Sequence, residues 1–342
     1  MSSTTGTAPD GDERGPAVWR TREWRAGAVA WADAALAAAG MRRTGDVEQP
    51  RVRAWATVLR VPTDGGLVWL KATAHQTAFE VPLYALLTAT VPSRVLHPIA
   101  EDADRGWLLL PDGGRSLADA LPEADAVAVL EQVLPEYGAL QVTLAAHLPA
   151  LEAAGLDDMR PARMSERFDL TLELAGRGAS SDDREALQSL MRFRPVYEDW
   201  VAELAASPVP ASIDHNDLHA ANILLPLAAT AGARFYDWGD AVVSHPFASM
   251  LHGLGWLPPH LGVPWTDPRI ERIRDAYLAP FAAFGSPAEL VRTLDLACRV
   301  GKVARSISWA RAIGMGDEAR GFERAPLQLL LSVAEESPLA PF

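Results

Sequence analysis

The chain has almost no cysteine. Cys298 is the only one among its 342 residues, so no disulfide can form within the chain. It lies in a stretch typical of a helix, where a cysteine more often packs than reacts. We therefore expect neither a disulfide framework nor thiol redox chemistry.

A long apolar run is also missing. No segment reaches the roughly 18 consecutive apolar residues that a membrane-spanning helix needs. Residues 1–16 are polar and have no apolar stretch of the kind found in signal peptides. We expect a cytoplasmic protein without a membrane segment.

Positive charge is scarce. Lysine and arginine total 31 against 44 aspartate and glutamate residues, which gives a formal net charge of −13. This balance opposes non-specific binding to nucleic acid or to anionic membranes. We therefore expect neither as a partner, and a cationic or neutral small molecule fits better as substrate.

What the chain does contain begins with a predicted disordered tail. Residues 1–17 are rich in Ser, Thr, Gly, Asp and Pro and show no hydrophobic period. A helix is predicted over residues 21–39, with Gly40 as the residue that ends it. Order is therefore expected from about residue 18 onward.

Two strands and a helix are predicted next. Residues 51–61 and 67–72 are β-like runs, and Asp64-Gly65-Gly66 between them favours a hairpin turn. Residues 79–88 have the apolar spacing of a helix. This pattern places Lys71 on a strand and Glu80 at the start of the following helix.

A lobe boundary is predicted after two further strands, residues 94–100 and 106–110. The run Pro111-Asp112-Gly113-Gly114 that follows is the strongest turn signal in this part of the chain. We therefore predict an N-terminal lobe of residues 18–112 and a C-terminal lobe of residues 113–342.

The second lobe is predicted to be mostly helical. Helical patterns cover residues 125–148, 165–174, 182–204, 270–284 and 287–313, with breaks or kinks expected at Pro135, Pro195 and Pro280. The exception is a small hairpin formed by residues 222–225 and 233–236. The whole pattern predicts an α+β fold in which an antiparallel sheet with a helix precedes a larger, mostly helical lobe.

Three side chains near this hairpin suggest chemistry. Asp217, Asn222 and Asp237 each lie at the edge of a strand-like segment. Two carboxylates and an amide can hold a divalent cation and orient a hydroxyl for phosphoryl transfer. In this interpretation Asp217 faces the acceptor hydroxyl, while Asn222 and Asp237 bind Mg²⁺.

The first lobe offers a nucleotide site. Phosphoryl transfer also needs a positive side chain against the phosphates, and Lys71 can serve with Glu80 as its ion-pair partner. Leu109, Leu110 and Asp112 are predicted to form the strap against which the adenine of ATP lies.

The same residues carry a family resemblance. His215-x-Asp217-x-x-x-x-Asn222 followed by Asp237-Trp238-Gly239 resembles the catalytic and metal-binding loops of the aminoglycoside phosphotransferase and choline kinase-like family. The resemblance spans about residues 51–250. It implies a bilobal protein-kinase-like fold and ATP-dependent, Mg²⁺-dependent phosphorylation of a hydroxyl on an aminoglycoside-like antibiotic, amino sugar or amino alcohol.

By residue-for-residue comparison with that family, Asp217 matches the catalytic aspartate, and Asn222 and Asp237 match the metal ligands. Lys71 matches the phosphate-binding lysine, and Glu80 matches its partner on the helix. One feature departs from the protein-kinase pattern, because residues 44–63 contain only one glycine where a glycine-rich nucleotide loop is expected.

Two other functions remain open at this point. Asp214, His215, Asp217 and His219 crowd four possible ligands of a zinc-dependent hydrolase, although position 216 is asparagine where a metalloprotease motif has glutamate. The missing glycine-rich loop also allows a non-catalytic nucleotide-binding protein with a kinase-like fold. Asp240 is assigned no single role, since it can contact metal, cap a segment or stay solvated.

Overall fold

The computed structural model describes residues 14–121, 125–176, 180–225, 232–313 and 323–339. Most of the predicted tail lies outside these residues, but its last two residues are helical, because a short helix begins at Pro16. Within the described ranges, no helix is both long enough and apolar enough to cross a membrane.

Ten strands occur in the described part of the chain. They are β1 (Glu48–Val52), β2 (Ala56–Thr63), β3 (Gly66–Thr73), β4 (Ala100–Asp102), β5 (Trp107–Pro111), β6 (Asp157–Asp158), β7 (Ser212–Asp214), β8 (Ile223–Leu224), β9 (Arg234–Phe235) and β10 (Val242–Ser244).

The α-helices of the described residues are α1 (Pro16–Trp19), α2 (Arg22–Ala38), α3 (Glu80–Thr90), α4 (Leu117–Ala120), α5 (Ala126–Ala145), α6 (Leu148–Ala153), α7 (Pro161–Gly176), α8 (Ser181–Ala205), α9 (Met250–Gly253), α10 (Leu257–Leu261), α11 (Pro268–Leu278), α12 (Pro287–Ile313) and α13 (Ala325–Leu331). Short 3-10 helices join several of them.

The first five strands form one antiparallel sheet in the order β1-β2-β3-β5-β4. The predicted hairpin is confirmed as β2 and β3, and Gly66 at its turn has a φ of 113°, which glycine adopts without steric cost. Lys71 pairs with Val58 on β2 and with Leu108 on β5. It therefore lies in the middle of the sheet.

Two strand predictions in this sheet are wrong. Residues 51–61 are not one strand, because β1 ends at Val52 and the turn Arg53-Ala54-Trp55 leads into β2. Residues 94–100 are not a strand either, since a 3-10 helix covers Pro92–Arg94 and β4 begins only at Ala100. Pro98 has no amide hydrogen for a strand ladder, which disfavours pairing there.

The sheet has two differently covered faces. Leu59, Leu70 and Leu109 point to one face and are buried with residues of α2, which Thr21 caps by accepting a hydrogen bond from Trp24 N at 3.1 Å. Leu108 points to the other face and joins the larger core that α3 shares with the helical part. Because side chains alternate along a strand, Lys71 and Leu108 share this second face.

The helical part forms around α5, α11 and α12, whose apolar side chains are buried in the larger core. Two small sheets lie among these helices. β10 pairs antiparallel with β7 and parallel with β6, and β8 pairs antiparallel with β9 as the predicted hairpin. Asp217, Asn222 and Asp237 lie in the segments that connect these short strands.

Two of the three prolines at which breaks or kinks are expected do not break their helices. Helix α5 continues through Pro135 and α8 continues through Pro195. Pro280 does mark a change, because α11 ends at Leu278 and a 3-10 helix follows over Ala279–Phe284. The predicted helix over residues 125–148 is instead α5 followed by the separate α6. The α+β fold with its large helical part is confirmed.

Two glycines inside helices are expected to respond to alanine in opposite directions. A Cβ at Gly138 in α5 would lie 2.9 Å from the main-chain oxygen of Tyr277, so Gly138→Ala should destabilise the protein by about 1–3 kcal/mol. A Cβ at Gly27 in α2 would meet nothing within 4 Å. Gly27→Ala should therefore stabilise the protein by about 0.5–1 kcal/mol. Thermal unfolding of both variants checks the pair, and equal shifts would contradict the packing at Gly138.

Candidate active site

Lys71 is held by two carboxylates that arrive from different parts of the chain. Its Nζ lies 2.7 Å from Glu80 Oε1 at the start of α3 and 2.6 Å from Asp237 Oδ1 after β9. Glu80 is fully buried, and its Oε1 also accepts a hydrogen bond from Trp238 N at 3.0 Å. The predicted pair of Lys71 and Glu80 is therefore present in the structure and extends to Asp237.

Lys71 and Asp237 hold each other in the ionised state. Burial alone would lower the pKa of Lys71, but Asp237 and Glu80 outweigh it and raise that pKa. Burial would raise the pKa of Asp237, and the Lys71 ammonium reverses this and lowers it. Both side chains therefore keep their charge across the physiological pH range.

Asp237 has a strained backbone. Its φ is 63°, in the left-handed region that residues other than glycine rarely adopt. Strained positions of this kind cluster at functional sites, where the surrounding structure holds them in place. Here the contact with Lys71 and the bond from the neighbouring Trp238 amide to Glu80 fix the loop.

Asp217 lies in the loop after β7 and is bound by a residue that the sequence did not suggest. Arg305 Nη2 donates to Asp217 Oδ1 at 2.5 Å, and His219 Nε2 lies 3.5 Å from Oδ2. Burial would raise the pKa of Asp217, but the Arg305 guanidinium holds it well below the usual range of an aspartate. Asp217 is thus an ionised carboxylate with one oxygen firmly held.

Arg305 joins two acidic side chains of the site. It lies on α12 with only 5% of its side chain exposed, and its Nη1 is 3.2 Å from Asp240 Oδ2. Its guanidinium stacks over the ring of Trp309, 5.1 Å from the centroid. Asp240 therefore holds Arg305 through an ion pair, a role that is not among those expected for it from the sequence. Nothing in the surrounding sequence distinguishes Arg305 from the other cationic residues of this helix, such as Lys302 and Arg311.

Asp214 and His215 brace this loop. Asp214 Oδ1 accepts hydrogen bonds from Ser249 Oγ and Asn216 N, both at 2.7 Å, and burial raises its pKa to about 6. His215 Nε2 lies 3.0 Å from the main-chain oxygen of Tyr236. In the described residues, no group of three or more His, Cys, Asp or Glu side chains is placed to hold a metal.

Asn222 and Asp237 have a donor set that suits Mg²⁺, a cation that prefers oxygen ligands. Asn222 Nδ2 donates to the main-chain oxygen of Asp217 at 2.9 Å. This bond uses the amide nitrogen of Asn222 and leaves its Oδ1 available as a ligand atom. The Asp237 side chain is 43% exposed even though Lys71 holds its Oδ1. The residues present therefore fit the predicted metal.

Two cavities meet at this site. The smaller, of about 280 Å³, lies beneath the sheet, and the larger, of about 580 Å³, lies toward α12. Arg51, Tyr236 and Asp237 line both of them. Lys71 and Glu80 line the smaller cavity, whereas Asp217 and Asn222 line the larger.

The predicted strap residues divide between the two faces of the sheet. Leu110 and Asp112 line the smaller cavity, as does Leu224 from β8 below them. Leu109 does not line it, because its side chain points to the opposite face and is fully buried in the core with α2. The Leu109 side chain therefore cannot form part of the predicted strap, which corrects the prediction for this residue.

The backbone just after β5 comes very close to Leu224. A Cβ at Gly113 would lie 2.3 Å from Leu224 Cδ1, so only glycine fits here without displacement of that side chain. Arg234 Nη2 also donates to the main-chain oxygen of Gly113 at 2.8 Å. Gly113 and Leu224 both line the smaller cavity.

A comparison with known protein families assigns the chain to one of them. The sequence profile of the phosphotransferase enzyme family matches residues 39–289, well over half of the chain. The chain belongs to the phosphotransferase enzyme family. The resemblance inferred from Asp217, Asn222 and Asp237 is confirmed, and with it the general activity of a phosphotransferase. No curated protein matches the chain significantly.

Solved structures of small-molecule phosphotransferases and of a small-molecule kinase share the fold of this protein. A macrolide 2′-phosphotransferase, MphH, from Brachybacterium faecium is 17% identical, with a TM-score of 0.55 over 87% of this chain and 98% of its own. An ethanolamine kinase from Plasmodium vivax is 10% identical, with a TM-score of 0.56 over 84% of this chain and 80% of its own. A GDP complex of aminoglycoside 2′-phosphotransferase-IIIa is 16% identical, with a TM-score of 0.54 over 84% and 92%. The predicted protein-kinase-like fold is therefore confirmed.

Proposed function

We propose that this phosphotransferase moves the γ-phosphoryl group of ATP to a hydroxyl of a small molecule. The observation that supports this most is the junction of two cavities at Asp237, with Lys71 on one side and Asp217 on the other. Such an arrangement places a donor and an acceptor on either side of the group to be transferred.

The smaller cavity suits the nucleotide. Val58, Leu110 and Leu224 supply apolar surface for an adenine, and Lys71 in the same cavity supplies positive charge for the phosphates. Asn222 and Asp237 are the ligands proposed for Mg²⁺, which when bound would neutralise charge on the phosphate oxygens. The protein's own contribution is positioning and electrostatics.

The larger cavity suits the acceptor. Asp217 Oδ1 is held by Arg305, so Oδ2, whose contact with His219 is longer, is the oxygen proposed to accept a hydrogen bond from the substrate hydroxyl. As the hydroxyl oxygen bonds to the γ-phosphorus, the bond from that phosphorus to the bridging oxygen of ATP breaks and ADP leaves, while the proton of the hydroxyl passes to Asp217. Arg305 keeps the carboxylate oriented during this step.

The wall of the larger cavity favours an acceptor of low positive charge. The described residues place Trp55, Trp256 and Trp309 in this wall together with Arg311. Its three carboxylates, those of Asp217, Asp237 and Asp240, are already paired with Arg305 or Lys71. A substrate with several ammonium groups would find few free anions there, whereas aromatic side chains bind apolar or ring surfaces well.

Among the acceptors named for structural neighbours, a macrolide therefore fits this wall better than an aminoglycoside. A volume of about 580 Å³ is typical of sites for drug-sized ligands and far exceeds what ethanolamine needs. The negative net charge of the chain made a cationic acceptor suitable. Most of the acidic residues lie outside the cavity, however, so the cavity itself favours a weakly charged acceptor.

A panel of acceptors tests the function. The protein is incubated with ATP, Mg²⁺ and, separately, macrolides, aminoglycosides, ethanolamine and choline, and ADP formation is measured for each. We expect turnover with a macrolide-like, weakly charged acceptor. Turnover confined to aminoglycosides would contradict the acceptor proposal, and ATP binding without turnover on any acceptor would support a non-catalytic protein instead.

A further inference from the structure

The turn between β1 and β2 occupies the place where kinase-like folds cover the phosphates, and it contains no glycine. Arg53 N donates to Ala56 O at 2.9 Å and closes the turn Arg53-Ala54-Trp55. A glycine-rich loop exposes backbone amides to phosphate because it has no side chains in the way. The three side chains of this turn stand in the way of its amides, so a cationic side chain that faces the cavities from the neighbouring strands is the more accessible source of positive charge.

Arg51 is placed to supply that charge. It pairs with Val58 on β2, and Val58 pairs with Lys71 on β3, so the three side chains stand in one row on one face of the sheet. Neighbouring strands lie about 4.8 Å apart, which puts the Cα atoms of Arg51 and Lys71 roughly 10 Å apart. A register shift between Glu48 and Arg51 and a hydrogen bond from Thr57 Oγ1 to Arg51 O at 2.8 Å fix this position.

The surroundings of Arg51 differ from those of its cationic neighbours. Lys71 is bound by two carboxylates, and Arg60 in the adjacent row pairs with Glu48 at 3.2 Å. No ion pair joins the exposed guanidinium of Arg51 to another residue in the described part of the chain. Arg51 also lines both cavities where they meet over Asp237.

We propose that Arg51 binds the terminal phosphates of the nucleotide from the sheet side, in the place of a glycine-rich loop. This rests on the proposed use of ATP. Lys71 has much of its charge balanced by Glu80 and Asp237, so a triphosphate needs a further cation. Arg51 meets this need, since a guanidinium can donate two parallel hydrogen bonds to phosphate oxygens.

Nucleotide binding tests this inference without knowledge of the acceptor. Equilibrium affinities for ATP with Mg²⁺ and for adenosine are measured on the wild type, Arg51→Ala and Arg53→Ala. Arg53 is the matched control, because it is an exposed arginine two residues away that lines neither cavity. We expect Arg51→Ala to weaken ATP binding by about tenfold or more, while adenosine binding and the control stay unchanged.

The outcomes separate the inference from the proposed function. If Arg51→Ala binds ATP as tightly as the wild type does, or loses ATP and adenosine affinity equally, Arg51 does not bind the phosphates. If the wild type itself fails to bind ATP, the proposed function fails and this inference fails with it. Arg51→Lys should retain part of the affinity, because the charge remains but the paired hydrogen bonds do not.

Discussion

Asp217→Asn is expected to lower kcat by about 10²–10⁴-fold while leaving ATP binding nearly unchanged. Asparagine has the shape of aspartate but cannot accept the proton of the acceptor hydroxyl. It also places an uncharged amide beside Arg305, whose guanidinium lies 2.5 Å from the Asp217 carboxylate in the wild type. The loss should therefore fall on the chemical step and not on nucleotide affinity.

Steady-state kinetics with the best acceptor, together with ATP affinity, measure this effect. Asp169→Asn is the matched control, because it makes the same chemical change at an exposed carboxylate that pairs with Arg194 and lines neither cavity. A single exposed ion pair contributes little to stability, so the control should behave like the wild type. Full activity in Asp217→Asn would remove Asp217 from the mechanism.

Arg305→Met is expected to lower kcat by about 10²-fold and to move the acid limb of the pH profile upward. In the wild type, Arg305 keeps the pKa of Asp217 below its usual range against the effect of burial. Without the guanidinium, burial dominates and the pKa of Asp217 rises. A group whose pKa is depressed stays ionised until the pH falls through that low value, so the variant should lose activity at a higher pH than the wild type.

The pH dependence of kcat/KM for both proteins checks this, and Asp240→Asn is the informative companion. That change removes the second anion from Arg305 but keeps the contact with Asp217. Its acid limb should move less than that of Arg305→Met. An unmoved acid limb in Arg305→Met would show that Arg305 acts only through packing.

Local sequence signals predicted the parts of the fold that are governed by local chemistry. The Asp64-Gly65-Gly66 turn specified the hairpin of β2 and β3, and that hairpin put Lys71 on the correct strand. The spacing from Asp217 to Asn222 and Asp237 identified the loops that the structure brings to one site. The types of these residues and their spacing along the chain can be recognised without knowledge of the tertiary contacts.

The missed features depend on tertiary contacts or on weak turn chemistry. Arg53-Ala54-Trp55 has no glycine, proline or asparagine, so nothing marked the end of β1. The choice of face for Leu109 depends on register with β3, because a shift of one residue moves a side chain to the other face. Arg305 lies far along the chain from Asp217, and only the packing of α12 brings them together.

The most direct test of the central claim compares products of the wild type and Asp217→Asn. Each protein is incubated with ATP, Mg²⁺ and the acceptor panel, and mass spectrometry follows ADP and the phosphorylated acceptor over time. We expect the wild type to form one phosphorylated acceptor for each ADP, with the phosphoryl group on a hydroxyl, and the variant to form almost none. Formation of ADP without a phosphorylated acceptor, or equal transfer by both proteins, would contradict phosphoryl transfer assisted by Asp217.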